Sequence, residues 1–248
     1  MNASKAFTYV FEDKDWLSKV LIGSAIVLVS FPLTVVLVGF LGFAVVAGYT
    51  LEVLRNVRQG RSRPLPAWQD RWSEWMVMGL KLLLVSLIWG LPSLVLNIPS
   101  AVGNSLAASD NGAVVAIGLF ISLSAALLMW LWALVLVLVT PALYIRLAET
   151  GEVRSTLQVA EILGFTRRHF GEVLAAVLVS LAATLVLFLV GATAGVLLCV
   201  VGLALTIPAA TFLASLISVH LYAQIGQDER QLQPVQPVTP EVVPPDRP

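Results

Sequence analysis

Four stretches of the chain carry no Asp, Glu, Lys or Arg, and each is long enough to cross a membrane: Val20–Leu51, Leu82–Ser109, Asn111–Ile145 and Val173–Ala223. A transmembrane helix needs about 20 mostly apolar residues. Backbone groups at hydrocarbon depth must be satisfied internally, which a helix does within one segment. Composition agrees: 58% of the 248 residues are hydrophobic and 12% are charged, about half the charge of a soluble domain. The formal net charge is zero, so the chain lacks the basic footprint of a nucleic-acid partner.

The expected fold class is all-α, a polytopic transmembrane helical bundle with short amphipathic interfacial helices on the cytoplasmic face. As one helix, Val20–Leu51 would reach about 48 Å, well past a hydrocarbon core of about 30 Å. Pro32 falls inside it, where a proline breaks or kinks a helix. Two helices, Trp16–Phe31 and Leu33–Gly60, fit better. The second would leave the membrane near Tyr49 as an amphipathic stalk, with Gly60 as its C-cap. Val173–Ala223 is too long for one crossing and reads as a hairpin turning between Gly191 and Gly202.

Charge placement bears on the helix number. All 15 Lys and Arg lie in the N-terminal segment, in Arg55–Lys81, in Arg146–Arg168 or in the tail. Six helices with both termini cytoplasmic put every basic residue inside, as the positive-inside rule prefers. Five would leave Lys5, Lys14 and Lys19 outside. Six is favoured and five stays open. Residues 1–225 read as a single transmembrane domain. Within it, 1–19 is an N-terminal cytoplasmic or interfacial segment, and 52–81 and 146–172 are cytoplasmic interfacial loops. Residues 226–248, dominated by Gln, Val and Pro, read as a disordered Pro-rich cytoplasmic tail. Pro234, Pro237 and Pro240 match the spacing of a PxxP ligand, though a solvated tail is the simpler reading. No cleavable signal pattern opens the chain, and the expected location is the cell membrane.

Candidate sites gather at the inner face. Pro66 suits a first helical position, and Trp68, Trp72 and Trp75 then recur at i, i+4, i+7, one face of an interfacial helix. Indoles rest well at headgroup level. Arg55, Arg58, Arg61, Arg63 and Arg71 lie nearby in sequence. Near an anionic leaflet each such charge contributes about 1 kcal/mol, so this group is the candidate anionic-lipid contact. A second inner-face helix is expected over Glu152–Gly164, with Val153, Leu157, Ala160 and Gly164 on one face. Arg167 and Arg168 after it can hold a phosphate or simply flank the next crossing.

Elsewhere the chemistry is sparse. Neither GxSxG nor HExxH occurs, so hydrolase machinery is not indicated. Acid–base candidates sit at membrane borders: Asp70, Glu74, Glu161, His169 and Glu172, with His220 ending the last helix. Cys199 is the one cysteine and reads as a small buried hydrophobe. No charge falls inside the long stretches, where ionisable residues would mark ion or proton pathways. One possible polar site remains, Ser93, Asn97 and Ser100 on a helix kinked by Pro92 and Pro99. Gly191 and Gly195 form either a packing motif or the hairpin turn. No metal site and no cofactor is expected.

Several of these residues carry a resemblance. Asp15-Trp16, Leu21-Ile22-Gly23, Gly48-Tyr49 with Arg55 six residues later, Leu65-Pro66-x-Trp68, Gly79, and the run Ala160–Phe170 resemble the prokaryotic domain-of-unknown-function family 4013, over roughly residues 5–225. The resemblance implies a multi-pass membrane protein without an established activity, and it supplies no catalytic residues. The Pro-rich tail departs from it. The expected function is therefore a non-enzymatic membrane scaffold or accessory subunit. Its expected partners are membrane lipids and a membrane protein, or a second copy of the chain. The alternative is a transporter or channel for a neutral or weakly polar solute.

Overall fold

The computed structural model describes residues 2–69, 71–198 and 201–227, and every element among them is helical. Asp70, Cys199 and the Pro-rich tail with its PxxP spacing lie outside the described residues. The helices are α1 (Ala3–Thr8), α2 (Trp16–Leu33), α3 (Gly39–Arg58), α4 (Trp72–Ala107), α5 (Gly112–Thr150), α6 (Val153–Thr156), α7 (Val159–Arg168), α8 (Phe170–Leu197) and α9 (Leu203–Ala223). Six of them (α2, α3, α4, α5, α8 and α9) are long and apolar enough to cross a membrane. This is the all-α bundle expected, with the six-helix count.

The first long stretch is a hairpin, but Pro32 does not make the turn. Pro32 sits in the last turn of α2, where its missing N–H costs one hydrogen bond and no more. A 3-10 turn, Thr34–Val36, follows, and the chain reverses at Leu37, whose φ is 63°. Gly39 begins α3 against α2 so closely that a Cβ there would stand 2.1 Å from the Ser30 carbonyl oxygen. With 18 and 20 residues, α2 and α3 reach about 27 and 30 Å, which matches one hydrocarbon thickness.

Rather than leaving the bundle as a stalk, α3 is its centre. Tyr49, Leu51, Val53 and Leu54 are fully buried, and α3 touches α2, α4, α5 and α9. Arg55 and Arg58, near its end, turn onto polar partners of neighbouring helices. The end of α3 is as expected. Gly60 takes a positive φ of 68°, and Gly60 N–H and Arg61 N–H donate to the carbonyls of Val57 and Asn56 at 3.0 and 3.1 Å, the two bonds of a Schellman motif. On the other side of the bundle, α8 and α9 turn between Leu197 and Leu203. Gly191 and Gly195 lie within α8 and face α9, so they form a packing face rather than the turn.

The α3–α4 contact depends on two glycines. A Cβ on Gly48 would lie 1.8 Å from the Trp75 carbonyl oxygen, and one on Gly79 would lie 1.7 Å from that of Ala44. The two backbones therefore touch directly, as small residues at membrane helix interfaces allow. This register exhausts α3 near the middle of α4. With 36 and 39 residues, α4 and α5 run to about 54 and 58 Å, far longer than their neighbours. Between Trp89 and Val139 the only buried residues are Gly103, Gly118 and Ala125, and Gly103 and Gly118 face each other across the hairpin. The distal α4–α5 hairpin is an arm packed on itself, with Leu94, Ile98, Phe120, Leu123 and Trp130 all exposed.

The expected single helix over Glu152–Gly164 is two short ones. After Gly151, at φ 68°, α6 folds back along α4. Thr156 is fully buried and its carbonyl accepts the Trp89 Nε1–H at 3.1 Å. The chain reverses at Leu157–Gln158, and α7 returns with Ile162 and Thr166 turned inward. Val159 and Leu163 are exposed, so the apolar face assigned from Val153, Leu157, Ala160 and Gly164 is not the one that packs.

Candidate functional site

Charged side chains pair with one another at one end of the bundle, where α3, α5 and α9 finish and α4 and α8 begin. Asn2 N–H donates to Gln224 Oε1 there, so both ends of the described chain meet at this face.

Four of the residues that carried the family resemblance, Tyr49, Leu65, Pro66 and Trp68, converge on one node. Tyr49 stacks on Trp68 at 4.1 Å and 7°, with Trp75 edge-on to both rings and Phe212 beside them. Tyr49 Oη donates to the Pro66 carbonyl at 3.1 Å, and Trp68 Nε1 donates to the Lys19 carbonyl at 2.9 Å. Lys19 Nζ donates in turn to Asp13 Oδ2 at 2.7 Å and to the Leu65 carbonyl at 2.9 Å. Burial alone would raise the Asp13 pKa. The hydrogen bonds from Lys19 and the Asp15 N–H, with the charges of Lys19 and Arg63, outweigh it and hold the carboxyl below its ordinary value. The loop Arg61–Gln69 is thus a latch joining α2, α3 and α4.

This corrects the reading of three indoles at headgroup level. Trp68 precedes the helix, since α4 starts at Trp72. Trp68 and Trp75 are buried, at 6% and 1% exposure, while Trp72 is exposed. Apolar bulk at i, i+4, i+7 marks a buried face as readily as a lipid-facing one, and here Tyr49 supplies the partner.

Three of the seven candidate arginines are likewise built in. Arg55 Nε donates to the Ala148 carbonyl at 2.8 Å. Arg71 bridges Glu74 at 2.6 Å and the buried Glu52 at 3.0 Å. Arg58 is 5% exposed, pairs with Glu149 at 2.7 Å, and donates to the carbonyls of Ala223 and Ile225. It therefore caps the C-terminus of α9, where a cation is favoured. Arg61, Arg63, Arg167 and Arg168 are exposed and remain accessible to a ligand.

A cavity of about 500 Å3 opens beside Arg58. The last turns of α5 (Ala142, Ile145, Arg146, Glu149) form one wall and α7 (Ala160, Glu161, Ile162, Gly164, Phe165, Arg168) the other, with Gly226 at the end. Arg146 pairs with Glu161 across it. Arg146 and Glu149 read in the sequence as ordinary flank after Ile145, and nothing in their spacing signals that α7 folds back to meet them. Gly226 is held at the end of the cavity: its N–H donates to Glu172 Oε2 at 2.7 Å, and His169 lies against it.

Ser93, Asn97 and Ser100 all lie within α4. Asn97 is exposed on α4 and its Nδ2 donates to the Ser93 carbonyl at 2.8 Å, while α4 runs unbroken through Pro92 and Pro99. His220 is buried against Tyr9, ring centroids 4.3 Å apart. Among the described residues no group of three His, Cys, Asp or Glu side chains is arranged to hold a metal ion.

A family model described as "Protein of unknown function (DUF4013)" matches residues 31–200. That span holds the Gly48-Tyr49, Leu65-Pro66-x-Trp68, Gly79 and Ala160–Phe170 motifs, while Asp15-Trp16 and Leu21-Ile22-Gly23 precede it. No curated protein and no solved structure matches the chain.

Proposed function

We infer, from the premise that this chain belongs to the DUF4013 family of proteins of unknown function, that it is a multi-pass membrane scaffold or accessory subunit rather than an enzyme. It sits in the cell membrane with both termini cytoplasmic, where the positive-inside rule puts its basic end. Membrane lipids surround it, and a partner membrane protein or a second copy docks on it.

The observation that carries this reading is the distal α4–α5 arm. Between Trp89 and Val139 this apolar hairpin buries nothing but its own seam of small residues, Gly103, Gly118 and Ala125. Its exposed Leu, Ile, Val and Phe side chains offer the surface through which membrane helices associate by packing. The solute-transport alternative draws no support from Asn97, whose amide is already bonded within its own helix.

Purification in mild detergent followed by mass spectrometry tests the proposal. A stoichiometric protein partner, or a discrete homo-oligomer, supports it. A pure monomer whose reconstituted vesicles pass a solute, with that flux abolished by Asn97→Leu, overturns it in favour of transport.

A further inference from the structure

The α5–α7 cavity differs in kind from the rest of the charged end. Arg55 and Arg71 are engaged by a helix-terminal carbonyl and by carboxylates, and Arg61, Arg63 and Arg167 are exposed outside the walls of this cavity. Here three arginines face two glutamates. Arg58 is matched by Glu149 and Arg146 by Glu161. Arg168 is exposed and forms no ion pair among the described residues. Among the described residues the lining thus carries one surplus positive charge, which one monoanionic group would neutralise.

The volume of about 500 Å3 lies within the range of small-molecule sites, about 300–1,000 Å3. Gly164 leaves the α7 wall bare: an added Cβ there meets nothing within 4 Å. The same helix turns Val159 and Leu163 outward as exposed apolar side chains. A helix with one apolar and one charged side lies at the boundary between acyl chains and headgroups. The occupant best suited to this wall is therefore anionic at the end that enters the cavity and apolar where it passes α7.

We propose that this cavity binds the phosphodiester headgroup of a membrane lipid, with Arg168 as the accessible guanidinium that contacts the phosphate. The proposal rests on the membrane-scaffold reading and names the lipid contact within it. A soluble phosphate ester shares the chemistry, and Val159 and Leu163 favour the lipid.

The test is an equilibrium titration of the delipidated full chain, in detergent, with dioleoyl phosphatidylglycerol, read by native mass spectrometry. One saturable site is expected. Arg168→Gln should weaken it about tenfold, the worth of one charge-assisted hydrogen bond. Gly164→Leu, which fills the open space without removing a charge, should abolish it. The double variant Arg61→Gln/Arg63→Gln removes more charge from a different exposed segment and should change it less than about twofold. Non-saturable uptake by the wild type overturns the proposal. So does Gly164→Leu binding like the wild type, or the Arg61/Arg63 variant weakening binding as much as Arg168→Gln. Displacement of the lipid by an equal concentration of glycerol 3-phosphate overturns the lipid assignment in favour of a soluble ester. If binding fails while a stoichiometric protein partner still co-purifies, this proposal falls and the scaffold reading stands.

Discussion

Replacing Gly79 by alanine places a methyl group where no atom fits. Its Cβ would stand 1.7 Å from the Ala44 carbonyl oxygen, whereas ordinary C···O contacts lie at about 3.3 Å or more. Backbone cannot rotate away as a side-chain tip can, so α3 and α4 must part by roughly 1.5 Å at this level. Tyr49 and Trp75 pack around the same seam and lose contact as it opens. Overpacking of this kind costs about 1–3 kcal/mol, and the upper end applies where the clash is with backbone. Alanine returns about 1 kcal/mol over glycine in a helix interior, which leaves a net loss of about 2 kcal/mol. At about 2–4 °C per kcal/mol for a chain of this size, Tm in detergent should fall by about 4–8 °C. Gly90 lies on the same helix with nothing within 4 Å of an added Cβ. Gly90→Ala should therefore gain the helix term alone and raise Tm by about 2–4 °C. Thermal unfolding of the two variants side by side decides the matter. Equal Tm values for Gly79→Ala and Gly90→Ala would refute the direct backbone contact.

Three further outcomes follow from the latch and from α4. Because the Asp13 pKa is held down in the folded state, its contribution is full above the ordinary carboxylate pKa and is lost as pH falls through the folded value; Asp13→Asn should flatten the acid limb of a Tm-versus-pH profile between about pH 5 and 3. Trp68→Ala removes the ring stacked on Tyr49 and should cost about 3–5 kcal/mol, seen as loss of folded yield or a large drop in Tm, while Trp72→Ala, at an exposed indole, should cost much less. Asn97→Leu should leave Tm within about 2 °C of wild type, since its amide bonds only to its own helix; a larger loss would show that it holds the bundle together.

The long elements were legible because a charge-free run above twenty residues has few folded solutions beside lipid. The α2–α3 hairpin was foreseen from length and charge placement, yet its turn was put at Pro32. Proline costs little in a last helical turn, and the reversal falls at Leu37, where no residue type announces a positive φ. The aromatic node was read with the wrong partner. Trp68, Trp72 and Trp75 share a period, but a period does not say whether Tyr49 or a headgroup lies opposite. Arg58 read as a lipid contact because its partners, Glu149 and the end of α9, are 91 or more residues away in sequence. The cavity was illegible for the same reason: Arg146 and Glu161 meet only because the chain reverses at Leu157–Gln158. Gly79, noted for its position, proved to be fixed by the Ala44 carbonyl.

Topology tests the central claim most directly. In a Cys199→Ser background, single cysteines at Ser4, Arg61 and Asp110 report the two ends of the bundle to a membrane-impermeant maleimide added to intact cells. Six crossings with the charged end inside predict labelling of Asp110→Cys alone, with Ser4→Cys and Arg61→Cys reacting only after the membrane is opened. Labelling of Ser4→Cys from outside while Arg61→Cys stays protected would contradict it and leave five crossings.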